Sequence, residues 1–362
     1  MSSPDLVAAV SGDGPMNPDH ARNQVVARLM LAGVTPEQIE GRDLSELIEL
    51  IRTTVLWGGR PPLTLAEVAA TAGIDLELAR RARMLMGLPD PGDEAVCRAE
   101  EIDVFRGFAA GVAVFGADPI LAFARVIGSA MAQVGEGALS VFARALDDGG
   151  GDIDRVHQPD RYALIAYDAL EMFRIIPQVL AVTSTLLFDQ ANERLGANPG
   201  QERPGGVGFV DVVRSTETTE DFGISVMSEA VSRFEERAVE SAVARGGRVV
   251  KFIGDEVMYI TPDLVGAVAV AEDLVAHVAG DPTLGAARAG VASGLLLGRD
   301  GDWFGLTVNL AARLVERAKS GDVLFAGDGA TELAATRPEI TVTRSRKRLR
   351  GLADKVEVHR IR

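Results

Sequence analysis

The segment Leu195-Gly-Ala-Asn-Pro-Gly-Gln-Glu-Arg-Pro-Gly-Gly206 divides the chain more sharply than any other feature. Neither a helix nor a strand tolerates that density of glycine and proline, so residues 195–206 read as a linker. Upstream of it, helix signals dominate. Thr35-Pro-Glu-Gln38 and Thr64-Leu-Ala-Glu67 are capping boxes, in which a hydroxyl and an acid or amide satisfy free backbone N–H groups reciprocally. Asp118-Pro119 pairs an acidic N-cap with proline at the first helical position. Long helices are expected over Glu94–Phe115, Pro119–Leu146 and Arg161–Arg194, the last kinked at Pro177. Residues 1–19 read as a flexible polar tail and 20–194 as one all-α domain.

Downstream, the hydrophobic period shortens. Val207–Val213 is a β-rich run, and Glu217–Ala244 reads as a helix. Arg248–Phe252 and Val257–Ile260 are short strands bracketing Gly254-Asp255, a hairpin signature. Asp263–Val278 is helical and Ala286–Leu297 is another strand. The order β-α-β-β-α-β is the ferredoxin-like arrangement, an α+β fold with helices on one face of an antiparallel sheet. A short helix over Asn309–Ala318 and strands at Val323–Phe325, Ile340–Thr343 and Val356–Ile361 complete a second domain, 207–362.

Two domains suit a length of 362 residues, and a net charge of −15 argues against a chain dedicated to nucleic acid. Thr64–Gly87 does read as a helix-turn-helix, with Gly73 at the turn and Arg80, Arg81 and Arg83 on the second helix. The first 200 residues nevertheless carry 16 basic against 28 acidic residues, which is no DNA footprint. One cysteine, Cys97, fits a reducing compartment. Met1–His20 lacks the basic-then-apolar form of a signal peptide. The apolar run Ile175–Phe188 is shorter than a membrane helix needs. The expectation is a cytoplasmic protein that does not cross a membrane.

Several polar residues stand where the local pattern does not ask for them. Asp211 lies inside the apolar strand Gly208–Val213, where a carboxylate is costly unless a metal or cation compensates it. Asp255 follows Gly254 at the hairpin tip, a place that a turn alone would give to Asp. Two such carboxylates on adjacent strands can converge on Mg²⁺, which prefers few carboxylates plus substrate phosphates. Lys251 is one of only four lysines among 37 basic residues. Asp302 sits in Gly301-Asp-Trp-Phe-Gly305, which reads as a tight loop. Asn309 and Arg313 are spaced to share one face of a helix.

Together these residues resemble the catalytic domain of class III nucleotidyl cyclases, over roughly Pro204–Arg362. Phe209-Val-Asp-Val-Val-Arg-Ser-Thr216, Lys251-Phe-Ile-Gly-Asp-Glu-Val-Met258 and Asp302-Trp-Phe-Gly-Leu-Thr-Val-Asn-Leu-Ala-Ala-Arg313 carry the resemblance. It implies that Asp211 and Asp255, with the Val212 backbone carbonyl, hold two divalent cations, Mg²⁺ or Mn²⁺. It also implies that Lys251 and Asp302 select the purine, Asn309 orients the ribose and Arg313 stabilises the transition state. The phosphates would meet the N–H groups of Val212–Thr216 and a basic residue of Arg344–Arg350, with Thr216 and Arg350 the candidates, unless that basic run is simply a solvated edge strand. In the family the metal and purine residues come from different chains, so a homodimer with two shared sites is implied. Arg214-Ser215 and Glu256 depart from residues common in the family.

The residue types make independent sense for ATP. Adenine offers an acceptor at N1 and a donor at its 6-amino group, matching a lysine and an aspartate. Guanine presents the opposite pattern, and mismatched polar groups discriminate strongly. The expected product is cyclic AMP, released with pyrophosphate. A guanylyl or diguanylate cyclase is the enzyme alternative, and a catalytically silent cyclase-like sensor the non-enzyme one. Residues 20–195 resemble the helical regulatory modules of some bacterial soluble adenylyl cyclases. Apolar stretches 107–135 and 169–188 would line either a pocket for a lipid or other apolar ligand, or a plain core or dimer interface. His20, His157, His277 and His359 are scattered without metal-ligand spacing.

Overall fold

The computed structural model describes residues 18–58, 60–147, 162, 165–170, 175–195, 202–213, 223–337, 345–347 and 356–361. The chain divides into two compact units, Met1–Arg194 and Leu195–Arg362.

The first unit is helical: α1 (Pro18–Leu31), α2 (Pro36–Ile39), α3 (Leu44–Trp57), α4 (Leu65–Ala72), α5 (Leu76–Leu85), α6 (Glu101–Phe115), α7 (Ala117–Asp147) and α8 (Ile176–Leu195). The capping boxes at Thr35 and Thr64 are both formed, and Asp43 with Glu46 makes a third before α3. Leu29, Leu47 and Ile51 of α1 and α3 form one core; Leu65, Val68, Phe105, Phe108 and Leu121 of α4, α6 and α7 form another. Phe105 and Phe108 meet edge to face at 6.1 Å, a favoured aromatic geometry.

Three expectations for this unit need correction. Residues 94–100 of the expected Glu94–Phe115 helix are not helical; there Leu63 and Cys97 exchange backbone bonds of 2.8 and 2.9 Å in an isolated bridge. Helix α7 starts at Ala117, so Asp118 and Pro119 lie within its first turn. Pro177 does not kink a helix; α8 begins at Ile176, where proline's missing N–H has no helical partner to lose. On the helix-turn-helix, Arg83 is buried against Glu101 and Arg80 pairs with Asp90, so the fold itself uses both cations. By length and composition alone, Ala117–Arg144 of α7 is apolar enough to cross a membrane. A search for uninterrupted apolar runs passes over it because Arg125 and Glu136 fall inside.

The second unit runs β1 (Arg203–Val213), α9 (Gly223–Ala244), β2 (Arg248–Ile253), β3 (Glu256–Thr261), α10 (Leu264–Gly280), β4 (Ala286–Arg299), β5 (Asp302–Phe304) and α11 (Leu306–Arg317). It continues through β6 (Val323–Gly327), α12 (Ala330–Thr336), β7 (Ser345–Lys347) and β8 (Val356–Ile361). The sheet order is β2-β3-β1-β4-β6-β8-β7, with β5 paired to β4. Strand β1 is central and antiparallel to both neighbours; β4 and β6 are parallel. This is the expected α+β fold around a βαββαβ core. The segment read as a tight loop contains β5, which pairs Trp303 with Gly298 and Phe304 with Leu297. The strand expected at 340–343 lies outside the described residues.

Alternation along β1 sorts its side chains between two cores. Val210 and Val212 join Phe234, Leu274 and Phe325 on the face covered by α9 and α10. Val207 and Phe209 join Met258, Trp303, Ala311 and Val315 on the opposite face, under α11. Asp211, two residues from Phe209, belongs to that second face. Helix α11 rides directly on β4, because Gly290 leaves its backbone room: a Cβ there would stand 2.1 Å from the Val315 nitrogen.

Candidate active site

The charges on the α11 face form a row across three strands. Register pairs Asp211 of β1 with Glu256 of β3 on one side and with Arg288 of β4 on the other. Arg288 donates to Asp211 Oδ2 from Nε at 2.8 Å and from Nη2 at 2.6 Å. Burial, and then the Asp211 carboxylate beside it, raise the Glu256 pKa above the ordinary range. Arg288 was not among the residues singled out from sequence. The signal was available, since an arginine inside the apolar strand Ala286–Leu297 is as anomalous as Asp211 inside its own.

Asp255 occupies the β2–β3 turn after Gly254, whose φ of 64° is a conformation glycine adopts without strain. The Val212 N–H donates to the Asp255 carbonyl at 3.3 Å, which ties the two aspartate-bearing elements together. The Val212 side chain is buried in the core beneath.

Lys251 lies on β2 just past a bulge in its pairing with β3. Its Nζ reaches Asp302 Oδ2 at 2.5 Å, while Asp302 Oδ1 accepts the Trp303 N–H at 2.8 Å. Burial works against the Asp302 charge, but Lys251 and the Trp303 N–H outweigh it and hold the carboxyl below its usual pKa. A donor and an acceptor thus stand side by side at one point on the surface.

Asn309 and Arg313 project from α11 on the side away from Thr307, Ala311, Leu314 and Val315, which are buried. Both are exposed, and Arg313 pairs with Glu316 at 2.6 Å. The contacts therefore gather the six residues as three pairs: Asp211 near Asp255, Lys251 on Asp302, and Asn309 one turn from Arg313. Thr216 and Arg350 lie outside the described residues. Exposed Phe252, Ile253, Leu295, Phe304 and Leu306 surround these elements.

No group of three or more His, Cys, Asp or Glu among the described residues is placed to hold a metal ion. Two carboxylates and a carbonyl are hard oxygen donors, a set that suits Mg²⁺ or Mn²⁺ when substrate phosphates complete the shell. Asp211 already accepts a cation, the Arg288 guanidinium. The residues present fit a divalent ion.

No protein-family model matches the chain. An uncharacterized protein of Mycobacterium tuberculosis is 30% identical over 326 residues, covering 88% of this chain and 85% of that protein. An adenylate cyclase of Streptomyces coelicolor is 30% identical over 293 residues, covering 78% of this chain and 74% of that one. The chain belongs to the class III adenylyl cyclases. A pH-sensitive adenylate cyclase of M. tuberculosis is 26% identical over 363 residues and covers 94% of this cyclase and 88% of itself. Among solved structures, the adenylyl cyclase CyaB of P. aeruginosa aligns with 45% of this cyclase and 95% of itself, at 22% identity and a TM-score of 0.37.

Proposed function

We propose that this cyclase converts ATP to 3′,5′-cyclic AMP and pyrophosphate in two sites shared across a homodimer. The observation that carries the reading is the Lys251–Asp302 pair, 2.5 Å apart. Opened by a purine, the lysine donates to N1 of adenine and the aspartate accepts from its 6-amino group. Guanine would leave both groups mismatched, at roughly 1–3 kcal/mol for each polar group left unpaired.

Asp211 and Asp255 would hold two divalent cations, Mg²⁺ or Mn²⁺, with the Val212 carbonyl as a further oxygen donor. Bound there, the cations would supply charge that lowers the pKa of the ribose 3′-hydroxyl and neutralises the leaving pyrophosphate. Asn309 orients the ribose, so that the 3′-oxygen faces the α-phosphorus. That oxygen gives its proton to solvent and forms the new bond to phosphorus as the bond to the pyrophosphate oxygen breaks. The Arg313 fork, always charged, donates to the phosphoryl oxygens as they gain charge. Thr216 and Arg350 are the candidate contacts to the triphosphate.

The exposure of Asn309 and Arg313, with apolar Phe304 and Leu306 beside them, supports completion of each site by a second copy. Residues 20–194 would act as a regulatory domain and the second unit as the catalytic domain, which begins earlier than the expected 207 because Arg203–Gly206 of the expected linker 195–206 pair with β4 as the start of β1. The exposed apolar side chains of α7 and α8, Phe123, Val182 and Phe188 among them, suit either an apolar or lipid ligand or a further contact between copies. The reading places the enzyme in the cytoplasm.

The test is cyclic nucleotide production by purified protein with Mn²⁺, given ATP or GTP. It compares the full chain with one starting at Gln201. Cyclic AMP from ATP alone is expected, with a rate that differs between the two chains. No cyclic product from a folded dimer would overturn the proposal.

A further inference from the structure

Asp211 is flanked by charges of opposite sign. Glu256 stands on β3 and Arg288 on β4, each directly across the strand pairing. Arg288 spends two N–H groups on a single oxygen, Oδ2. Charge-assisted bonds of this kind are the strong ones, and a guanidinium cannot leave by losing its proton. Yet the pair is not sealed in: the side chains are 31% exposed at Arg288 and 21% at Asp211. Arg288 therefore has solvent into which to withdraw. Arg288 sets one positive charge against the Asp211 carboxylate, where a divalent ion would set two.

We propose that Arg288 is a displaceable counter-cation of the metal site. It occupies Asp211 Oδ2 in the cation-free protein and must release that oxygen when a divalent ion binds. Arg288 then sets how weakly the empty enzyme holds metal. This rests on the reading of Asp211 as a metal carboxylate. A purely structural arginine predicts the opposite sign, because removing it would leave Asp211 unsupported and loosen metal binding.

The experiment measures Mn²⁺ binding to the full-length, nucleotide-free protein by loss of the free-ion electron paramagnetic resonance signal. Arg288→Gln is expected to tighten Mn²⁺ binding by roughly tenfold, the scale of one charge-assisted hydrogen bond. Arg288→Lys, which keeps the charge but not the fork, should fall between the two. It also serves as the readout if the glutamine variant does not fold. Asp211→Asn should lose the tight site in either background. Unchanged or weaker binding in both Arg288 variants, with Asp211→Asn still losing the site, would overturn the counter-cation role alone. Wild-type Mn²⁺ binding by Asp211→Asn would instead overturn the metal reading beneath it.

Discussion

Gly290→Ala tests how helix α11 is held. The new methyl would stand 2.1 Å from the Val315 nitrogen, 2.4 Å from the Ala311 carbonyl oxygen and 2.7 Å from the Leu314 carbonyl carbon. All three are backbone atoms of α11, so no side chain can swing aside. Restoring ordinary contact at 3.4 Å requires helix and strand to separate by about 1.3 Å. Overpacking of this kind costs about 1–3 kcal/mol. For a unit of this size each kcal/mol lowers the melting temperature by roughly 2–4 °C, so a drop of about 2–12 °C is expected. Helix α11 also carries Asn309 and Arg313, and a misplacement of about 1 Å at reacting groups can cost on the order of 100-fold in rate. Circular dichroism melting and cyclic AMP production from ATP measure the two effects. Gly254→Ala is the control, because nothing lies within 4 Å of its Cβ position and only its positive φ is strained. Wild-type melting and wild-type turnover in Gly290→Ala would refute the packing argument.

Lys251→Ala should lower kcat/KM for ATP by roughly 10- to 100-fold and narrow the preference over GTP, since the adenine N1 acceptor loses its donor; initial rates with both nucleotides measure this. Asp281 loses by burial but gains more from Arg233 and the Thr283 N–H, which together hold its carboxyl below the usual pKa. Its contribution is therefore present above the unfolded carboxylate pKa and lost as pH falls through the folded one. Asp281→Asn should melt lower than wild type at pH 7, and the gap should close below about pH 4. Phe304→Glu places a charge on the exposed apolar surface beside Asp302 and Leu306. Sedimentation should show a shift towards monomer, with cyclic AMP production falling in parallel.

Local chemistry made most of the fold legible. The capping boxes at Thr35 and Thr64 are short-range devices, written in four residues and formed as such. The Gly254-Asp255 hairpin is equally local. Errors arose where a distant partner decided the outcome. The segment around Cys97 is held by the Leu63–Cys97 bridge, a pairing that no helical period can reveal. Pro177 has the same sequence in a kink as at a helix start. Among site residues, an anomaly within one strand exposed Asp211; the same kind of anomaly marks Arg288 inside Ala286–Leu297, and the β1–β4 register shows that the two are partners. Gly290 carried no signal at all, since its meaning lies in the backbone of α11.

Asp211 sits on Arg288, Lys251 on Asp302 and Arg313 on Glu316, each within 2.6 Å. Three such dipoles cancel within a few ångströms, well inside a Debye length of about 8 Å at physiological salt. From a distance this surface presents no attractive field to a polyanion, and the whole chain carries −15. On the proposed function, nucleotide capture would be an exchange of partners at contact rather than a guided approach. Its encounter rate should owe little to electrostatic steering.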